Sequence, residues 1–212
     1  MDTGKFPKAL KTDRRVPIFK SGGDTTCVND YRLLAVHSVL RKVLCNILDT
    51  RIRSIVNLDD AQNGFRRGRR GTDNVLILNN VIRQMNKNSG GHIIVVDFSK
   101  AFDRCHIATL LGKLAHKGVN GKTLRVIKTM YTGAEAKLLI NGKLSQPFKV
   151  TRGVAQGCPL SPLFFDIYID DLLKEFRDQG LGVPVGQLIQ GPESFADCLL
   201  YTSDAADDRM RG

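Results

Sequence analysis

Apolar residues recur along this chain at two different spacings, and these spacings predict a mixed α/β fold. Residues 15–20 alternate in polarity and end at a Ser-Gly-Gly-Asp loop, which predicts a strand. Residues 92–96 form a short β-branched run, which predicts a buried strand that carries Asp97 at its carboxyl end. Residues 135–150 predict a β-hairpin, because the pair Asn141-Gly142 suits a type I′ turn.

Spacings of three and four residues predict the helices. The apolar positions from Tyr31 to Asn57 follow this spacing and predict one long amphipathic helix. A second helix is expected to begin at Thr72 or Asp73, either of which can cap it, and to run towards residue 88. Further helices are predicted near 106–117 and 121–132, each closed by a glycine, and over 163–176. A last apolar stretch near 183–189 precedes Asp197.

Composition and charge limit the kinds of function that this chain can have. The 212 residues are 42% hydrophobic and 25% charged, which suits one folded domain, or one and a half, and excludes a multi-domain machine. The net charge is +11, and residues 1–90 carry most of it, with 17 basic and 8 acidic side chains. This excess favours a polyanionic partner, nucleic acid above all, over a small metabolite. The alternative is a basic surface that only faces solvent.

Several other classes of protein are disfavoured. No apolar run approaches the length that spans a bilayer, and residues 1–17 lack the apolar core of a signal peptide. We therefore expect an intracellular protein, cytoplasmic or nuclear, with no membrane partner. The five cysteines are odd in number and far apart, without a Cys-x-x-Cys pair, which argues against a zinc site and a disulfide framework.

Two aspartates stand out as candidates for metal binding. Asp97 follows the predicted strand 92–96, and Asp197 follows the last apolar stretch. If that stretch pairs with the strand, the two carboxylates meet. Two carboxylates together with substrate phosphates suit Mg²⁺, and a pair of such ions suits in-line phosphoryl transfer. The alternative for Asp97 is that it only caps the turn that follows.

Six short blocks occur in an order that is specific to one family. The blocks are Val16-Pro17-Ile18-Phe19-Lys20, Asn29-Asp30-Tyr31-Arg32, Gln62-Asn63-Gly64-Phe65-Arg66, Asp97-Phe98-Ser99-Lys100-Ala101-Phe102-Asp103, Arg152-Gly153-Val154-Ala155-Gln156-Gly157-Cys158-Pro159-Leu160-Ser161-Pro162 and Phe195-Ala196-Asp197. Together they resemble the reverse transcriptase of non-LTR retrotransposons.

The resemblance implies a right-hand polymerase fold of the α/β (α+β) class. An antiparallel palm sheet would pack on helices, and the thumb would be absent. Residues 1–90 would form a fingers-like region and residues 91–197 a palm-like region. The implied activity is Mg²⁺-dependent, RNA-directed DNA polymerisation, in which nucleotides from dNTPs are added to a DNA primer on an RNA template. The oligomeric state stays open.

The resemblance also implies roles for single residues. Asp97 and Asp197 are similar to catalytic, metal-binding aspartates, and the Phe98 carbonyl to an additional ligand. Phe102 is similar to a steric gate that lies where a ribose 2′-hydroxyl would project and so admits only deoxynucleotides. The alternative for Phe102 is a buried core aromatic residue.

The remaining implied roles concern substrate and nucleic acid. Lys20 and Arg32 are similar to residues that neutralise the triphosphate, and the alternative for either is a contact to the phosphate backbone. Gln156 and Gly157 are similar to the loop that approaches the incoming nucleotide and the template. Basic residues would hold the nucleic acid backbone through salt-dependent contacts, with a solvated turn as the alternative for some of them. These are Arg66, Arg67, Arg69, Arg70 and Arg152.

Two departures from the family pattern affect the prediction. Leu33-Leu34-Ala35 stands where the family usually has proline and a small or β-branched residue. More importantly, the family has two adjacent aspartates, whereas Asp197 is followed here by Cys198. Residues 198–207 look like a translated sequencing-library adapter, so we interpret 198–212 as a non-native tail. The metal site would then be incomplete, and this chain an inactive fragment.

Two other functions share part of these features. A group II intron or other bacterial-type reverse transcriptase would carry the same motifs. A non-catalytic, basic RNA-binding module would share the charge but would not need Asp97.

Overall fold

Helices and strands alternate along the chain, as the two apolar spacings predict. The structure, a computed structural model, describes residues 4–87, 91–180, 182–185 and 188–204. The helices are α1 Val39–Arg53, α2 Gly71–Lys87, α3 Ala101–Arg104, α4 Ile107–His116, α5 Gly121–Tyr131 and α6 Ser161–Asp178. The strands are β1 Thr12–Phe19, β2 Tyr31–Val36, β3 Gly91–Asp97, β4 Glu135–Ile140, β5 Lys143–Leu144, β6 Phe148–Lys149, β7 Val183–Val185, β8 Leu188–Gln190, β9 Glu193–Phe195 and β10 Cys198–Asp204.

Each of the two compact units in this chain is built from two separate stretches. The first unit comprises residues 1–57 and 102–165, and the second comprises residues 58–101 and 166–212, within the described ranges. Helix α6 begins in the first unit and continues into the second. This division is based on contacts within the chain. The fingers-like region 1–90 and the palm-like region 91–197 stay predictions.

The sheet of the first unit is centred on β1. Strand β2 pairs with it in antiparallel orientation and β4 in parallel orientation, while β5 and β6 pair with β4. The turn between β4 and β5 has φ of 49° at Asn141 and 75° at Gly142, both in the left-handed region. Positive φ at both central residues is what a type I′ turn requires, so the predicted hairpin is confirmed.

The predicted long helix over residues 31–57 is wrong in its first part. Residues Tyr31–Val36 form β2 instead, since they pair with β1 over six residue pairs, from Phe19 with Tyr31 to Arg14 with Val36. Helix α1 begins only after Ser38, whose side chain accepts a hydrogen bond from the Arg41 amide and so caps the helix. Tertiary pairing therefore overrides the helical spacing of this segment.

The later helices follow the prediction closely. Helices α4 and α5 end close to Gly118 and Gly133, whose φ values of 89° and 66° are typical of left-handed residues that terminate helices. Helix α6 contains the predicted segment 163–176 and buries an apolar side, including Leu163, Phe164, Phe165, Ile167 and Leu173. Within the described ranges, no helix is long and apolar enough to cross a membrane.

The second unit contains an antiparallel sheet in the order β3-β10-β9, as well as the β7-β8 hairpin. The apolar stretch 183–189, a candidate partner of β3 in the sequence, contributes to that hairpin instead, and β10 takes the place beside β3. The prediction that β3 is buried is wrong, because none of its residues is buried and Val95 is 63% exposed. A β-branched run is thus sufficient for a strand without being buried on both faces.

Candidate active site

The structure brings Asp97 and Asp197 to the same end of two neighbouring strands. Strand β3 ends at Asp97, and β10 begins at Cys198, which lies directly opposite Asp97 in the antiparallel pair. The Phe98 amide donates a hydrogen bond to the Asp197 carbonyl oxygen at 3.1 Å. The backbones of the two aspartates are therefore neighbours, through the strand that follows Asp197 and not through the stretch 183–189 that precedes it.

Both carboxylates are accessible to a cation. Asp97 is exposed and Asp197 is half-buried, and neither carboxylate forms a hydrogen bond or ion pair within the described ranges. The Phe98 carbonyl oxygen accepts a hydrogen bond from the Ala101 amide at 3.2 Å and retains one lone pair. Two carboxylates and a carbonyl fit Mg²⁺, which takes few protein ligands. No group of three or more His, Cys, Asp or Glu side chains able to hold a metal occurs among the described residues.

A tight turn places Asp197. Phe195 pairs with Cys198, so that only Ala196 and Asp197 connect β9 to β10. The φ of Ala196 is 55°, in the left-handed region that is unfavourable for a residue with a Cβ atom. The surrounding structure must therefore hold this turn in place.

Two buried residues from the segment before α2 contact this turn and the strand β9 that precedes it. Gln62 is fully buried, and its Oε1 accepts hydrogen bonds from the Gly64 amide at 2.7 Å and the Ala196 amide at 3.3 Å. The Asn63 amide donates to the Ser194 carbonyl oxygen at 2.9 Å. These residues belong to one of the six family blocks, but the sequence alone assigned them no role, because their partners lie over 100 residues away.

The Asn63 side chain links this segment to β9. Its Nδ2 donates hydrogen bonds to Glu193 Oε2 and Asn74 Oδ1, both at 2.7 Å, and its Oδ1 accepts one from Arg69 at 2.9 Å. Burial raises the pKa of Glu193 to about 7. The hydrogen bonds from Asn63 and Gln190 and the positive charge of Arg69 oppose this rise, whereas the negative charge of Asp59 adds to it. Glu193 thus ionises near neutral pH.

Glu193→Gln is expected to stabilise the chain at pH 8 and to have no effect at pH 4. In the unfolded chain Glu193 ionises near pH 4.5, and in the folded chain near pH 7. The unsubstituted protein therefore loses stability as the pH rises through that window, by up to about 2 kcal/mol. Urea unfolding at both pH values measures the difference, and an equal effect at both would contradict it.

A second group of predicted residues lies in the first unit, around the loop 152–157. The Val154 amide donates to the Phe102 carbonyl oxygen at 2.8 Å, and Gln156 Nε2 donates to Asp103 Oδ2 at 2.9 Å. The half-buried Phe102 ring stacks on Phe165 with centroids 5.1 Å apart. Phe102 thus lies beside the loop that carries Gln156, while its role as a gate stays a prediction.

Gly157 allows this loop to approach β2. Its φ is 102°, and a Cβ atom there would lie 2.7 Å from the Ala35 carbonyl oxygen. The Ala35 amide donates to the Gln156 carbonyl oxygen at 2.7 Å. Cys158, which directly follows the loop, is buried, and its Sγ lies 3.6 Å from Cys45 Sγ. The position of the loop is therefore fixed by the Gln156 hydrogen bond to Ala35 on one side of Gly157 and by the buried Cys158 side chain on the other.

Lys20 and Arg32 share one face of the β1-β2 ribbon. Arg32 pairs with Ile18, and Lys20 lies two residues after Ile18, so strand alternation places both cations on the same side. Arg32 is exposed and Lys20 half-buried, with its Nζ donating to the Asn29 carbonyl oxygen at 3.0 Å. Two cations on one face suit an anionic ligand.

The predicted nucleic-acid-binding arginines fall into two groups. Arg66 donates a hydrogen bond to the Asp59 carbonyl oxygen at 2.7 Å, and Arg69 donates one to Asp60 Oδ1 at 2.8 Å. Both arginines therefore stabilise the loop to which they belong. The side chains of the other three are exposed, and none has a side-chain partner in the described part of the chain. These are Arg67, Arg70 and Arg152.

Comparison with known proteins agrees with the family resemblance seen in the sequence. The family profile described as "Reverse transcriptase (RNA-dependent DNA polymerase)" matches residues 18–207, which include the segment we interpret as a tail as far as Asp207. The Pol polyprotein of the type-2 retrotransposable element R2DM from Drosophila melanogaster is 33% identical over 95% of this chain. That of a type-1 element R2 from Popillia japonica is 28% identical over 91% of the chain.

The solved structures show the same fold. An apo telomerase from Candida tropicalis aligns with a TM-score of 0.62 at 15% identity, over 97% of this chain and 46% of the telomerase chain. At that identity the likeness concerns the fold alone. The chain spans only 19% and 28% of the two Pol polyproteins.

Proposed function

Because the chain belongs to the reverse transcriptase (RNA-dependent DNA polymerase) family, we propose that its parent protein extends a DNA 3′-hydroxyl on an RNA template. The observation that carries this proposal is the hydrogen bond from the Phe98 amide to the Asp197 carbonyl oxygen, at 3.1 Å, which makes the backbones of Asp97 and Asp197 neighbours. Mg²⁺ bound there would neutralise charge on the triphosphate during in-line transfer. Positioning and charge neutralisation supply most of the catalysis in such reactions.

The predicted metal-binding and substrate-binding residues each have a place in this proposal. Asp97, Asp197 and the Phe98 carbonyl hold Mg²⁺, and Lys20 and Arg32 bind the triphosphate. Phe102 excludes the ribose 2′-hydroxyl beside a loop in which Gln156 and Gly157 contact the nucleotide and template. The partners are therefore an RNA template, a DNA primer and dNTPs, inside the cell.

A ternary-complex measurement tests the proposal without requiring catalysis. The affinity of the chain for an RNA template annealed to a dideoxy-terminated DNA primer is measured by fluorescence anisotropy, with Mg²⁺ and each dNTP in turn. We expect the dNTP that matches the template base to tighten binding and the three others to have no effect. Asp97→Asn should abolish this discrimination while leaving dNTP-independent binding in place.

Three results would each argue against a part of this proposal. Equal effects of all four dNTPs would contradict the proposal. Discrimination that survives in Asp97→Asn would contradict the role of the aspartate. Binding that is indifferent to dNTP and to Mg²⁺ would favour the basic RNA-binding module instead. Primer extension by this chain itself is expected to be absent, because Cys198 replaces the second aspartate.

Replacing Arg67, Arg70 and Arg152 together by glutamine is expected to weaken template-primer binding about tenfold at physiological salt. Affinity falls as the salt concentration rises, and each exposed arginine that contacts phosphate makes the plot of log affinity against log salt concentration steeper by about 0.7–0.9. The triple variant should therefore have a shallower salt dependence. Replacing Arg14, Arg104 and Arg125 is the control for net charge alone. Equal loss in both triple variants would contradict a specific role for the first three.

A further inference from the structure

The turn that carries Asp197 adopts a conformation that its own residues disfavour. Ala196 has a φ of 55° although it bears a Cβ atom, and the connection between β9 and β10 contains no glycine. A two-residue connection between paired strands calls for such a φ, but the left-handed conformation is unfavourable for a residue other than glycine. The strand pairing and further contacts around the turn must therefore offset this cost.

Gln62 provides one such contact from a fully buried position. Its Oε1 accepts hydrogen bonds from the Gly64 and Ala196 amides, at 2.7 and 3.3 Å. Only an acceptor can satisfy two N–H donors, so the assignment of the amide oxygen to this position follows from the chemistry. Burial of an amide group is unfavourable unless it is hydrogen-bonded, and a turn that moved away would leave Oε1 with one donor fewer.

The neighbouring residues leave this contact little freedom. A Cβ atom at Gly64 would lie 2.3 Å from the Ala196 nitrogen, so the two backbones approach as closely as glycine permits. The Ser194 amide donates to the Ala61 carbonyl oxygen at 2.7 Å, and the Asn63 amide donates to the Ser194 carbonyl oxygen at 2.9 Å. Residues 61–64 thus run beside β9 up to the turn.

We propose that Gln62 is a positioning residue for Asp197. By holding the Ala196 amide, it keeps the turn in the left-handed conformation and Asp197 in register with the end of β3. The Phe98 amide, which donates to the Asp197 carbonyl oxygen at 3.1 Å, reports on this register. This inference rests on the proposed function only where metal binding by Asp197 is concerned.

Amide hydrogen exchange in the full chain, followed by NMR, tests the inference. Gln62→Met keeps the size of the side chain and removes the acceptor, whereas Gln62→Glu keeps an acceptor. Loss of one hydrogen bond corresponds to a change of about tenfold, so we expect the Ala196 and Phe98 amides to exchange about tenfold faster in Gln62→Met. They should stay protected in Gln62→Glu. The Ala35 amide, in the first unit, monitors general destabilisation.

Mn²⁺ titration of the same proteins separates positioning from a purely structural role. We expect the Mn²⁺ dissociation constant to rise about tenfold in Gln62→Met and to stay near the original value in Asn74→Ala, which removes an Asn63 partner that does not touch the turn. Unchanged exchange at Ala196 and Phe98, equal acceleration at Ala35, or an unchanged Mn²⁺ affinity would each overturn the inference. Absence of Mn²⁺ binding from the unsubstituted chain would overturn the proposed metal site, while the exchange data would still decide the role of Gln62 in the turn.

Discussion

Cys198→Asp is expected to tighten Mn²⁺ binding by this chain roughly tenfold to a hundredfold. Cys198 lies directly opposite Asp97 in the β3-β10 pair, and Cβ atoms of directly opposed residues in antiparallel strands are about 4.5–5.5 Å apart. A carboxylate there joins those of Asp97 and Asp197, and the number of charged ligands tunes the affinity of such sites. The substitution also restores the second aspartate of the family pattern.

Metal should reverse the effect of the same substitution on stability. Without metal, like charges directly opposed across a strand pair are destabilising, so Cys198→Asp should unfold at lower urea than the original chain. With Mn²⁺ in excess the order should invert, since a ligand that binds only the folded state stabilises it. Titration by electron paramagnetic resonance and urea unfolding measure the two effects.

Cys27→Asp is the matched control for this prediction. Cys27 is half-buried and precedes β2 in the first unit, so an aspartate there adds the same charge in a different unit from the two aspartates. Its Mn²⁺ affinity should match that of the unsubstituted chain. If both variants bind Mn²⁺ equally tightly, the gain reflects net charge and the proposed site is wrong.

Local signals in the sequence were sufficient for much of the fold. The Asn141-Gly142 turn and the glycines after α4 and α5 are determined by backbone conformations that few other residues adopt readily. The strand before Asp97 follows from its β-branched run. These features depend on neighbours within a few residues, which is why spacing and residue type predict them.

Features that depend on distant partners were missed or mistaken. Residues 31–36 have helical spacing but form β2, because β1 offers six residue pairs. The hydrogen bond from Ala196 to Gln62 joins residues 134 positions apart. The binding of nucleic acid by Arg66 and Arg69 stays a prediction, but their hydrogen bonds to carbonyl and carboxylate groups of their own loop were not foreseen from the sequence. Residue type reveals the charge of a side chain but not the partner that the fold provides.

Gly157→Ala is expected to lower the free energy of unfolding by about 3–4 kcal/mol. The φ of 102° lies outside the range that alanine adopts readily, and the new Cβ atom would lie 2.7 Å from the Ala35 carbonyl oxygen. Left-handed strain contributes about 1–2 kcal/mol and overpacking about 1–3 kcal/mol. Because the obstacle is backbone, it cannot be relieved by a change of side-chain rotamer.

Gly133→Ala separates these two contributions. Gly133 has a φ of 66°, and a Cβ atom added there would meet no other atom within 4 Å, so alanine adds strain without a clash. Its expected cost is therefore about 1–2 kcal/mol. Urea unfolding of both variants measures the difference of about 1–3 kcal/mol that we assign to the contact with Ala35. Equal destabilisation would mean that the loop 152–157 moves away from β2 easily, and the close backbone approach at Gly157 would then contribute nothing to holding Gln156 in place.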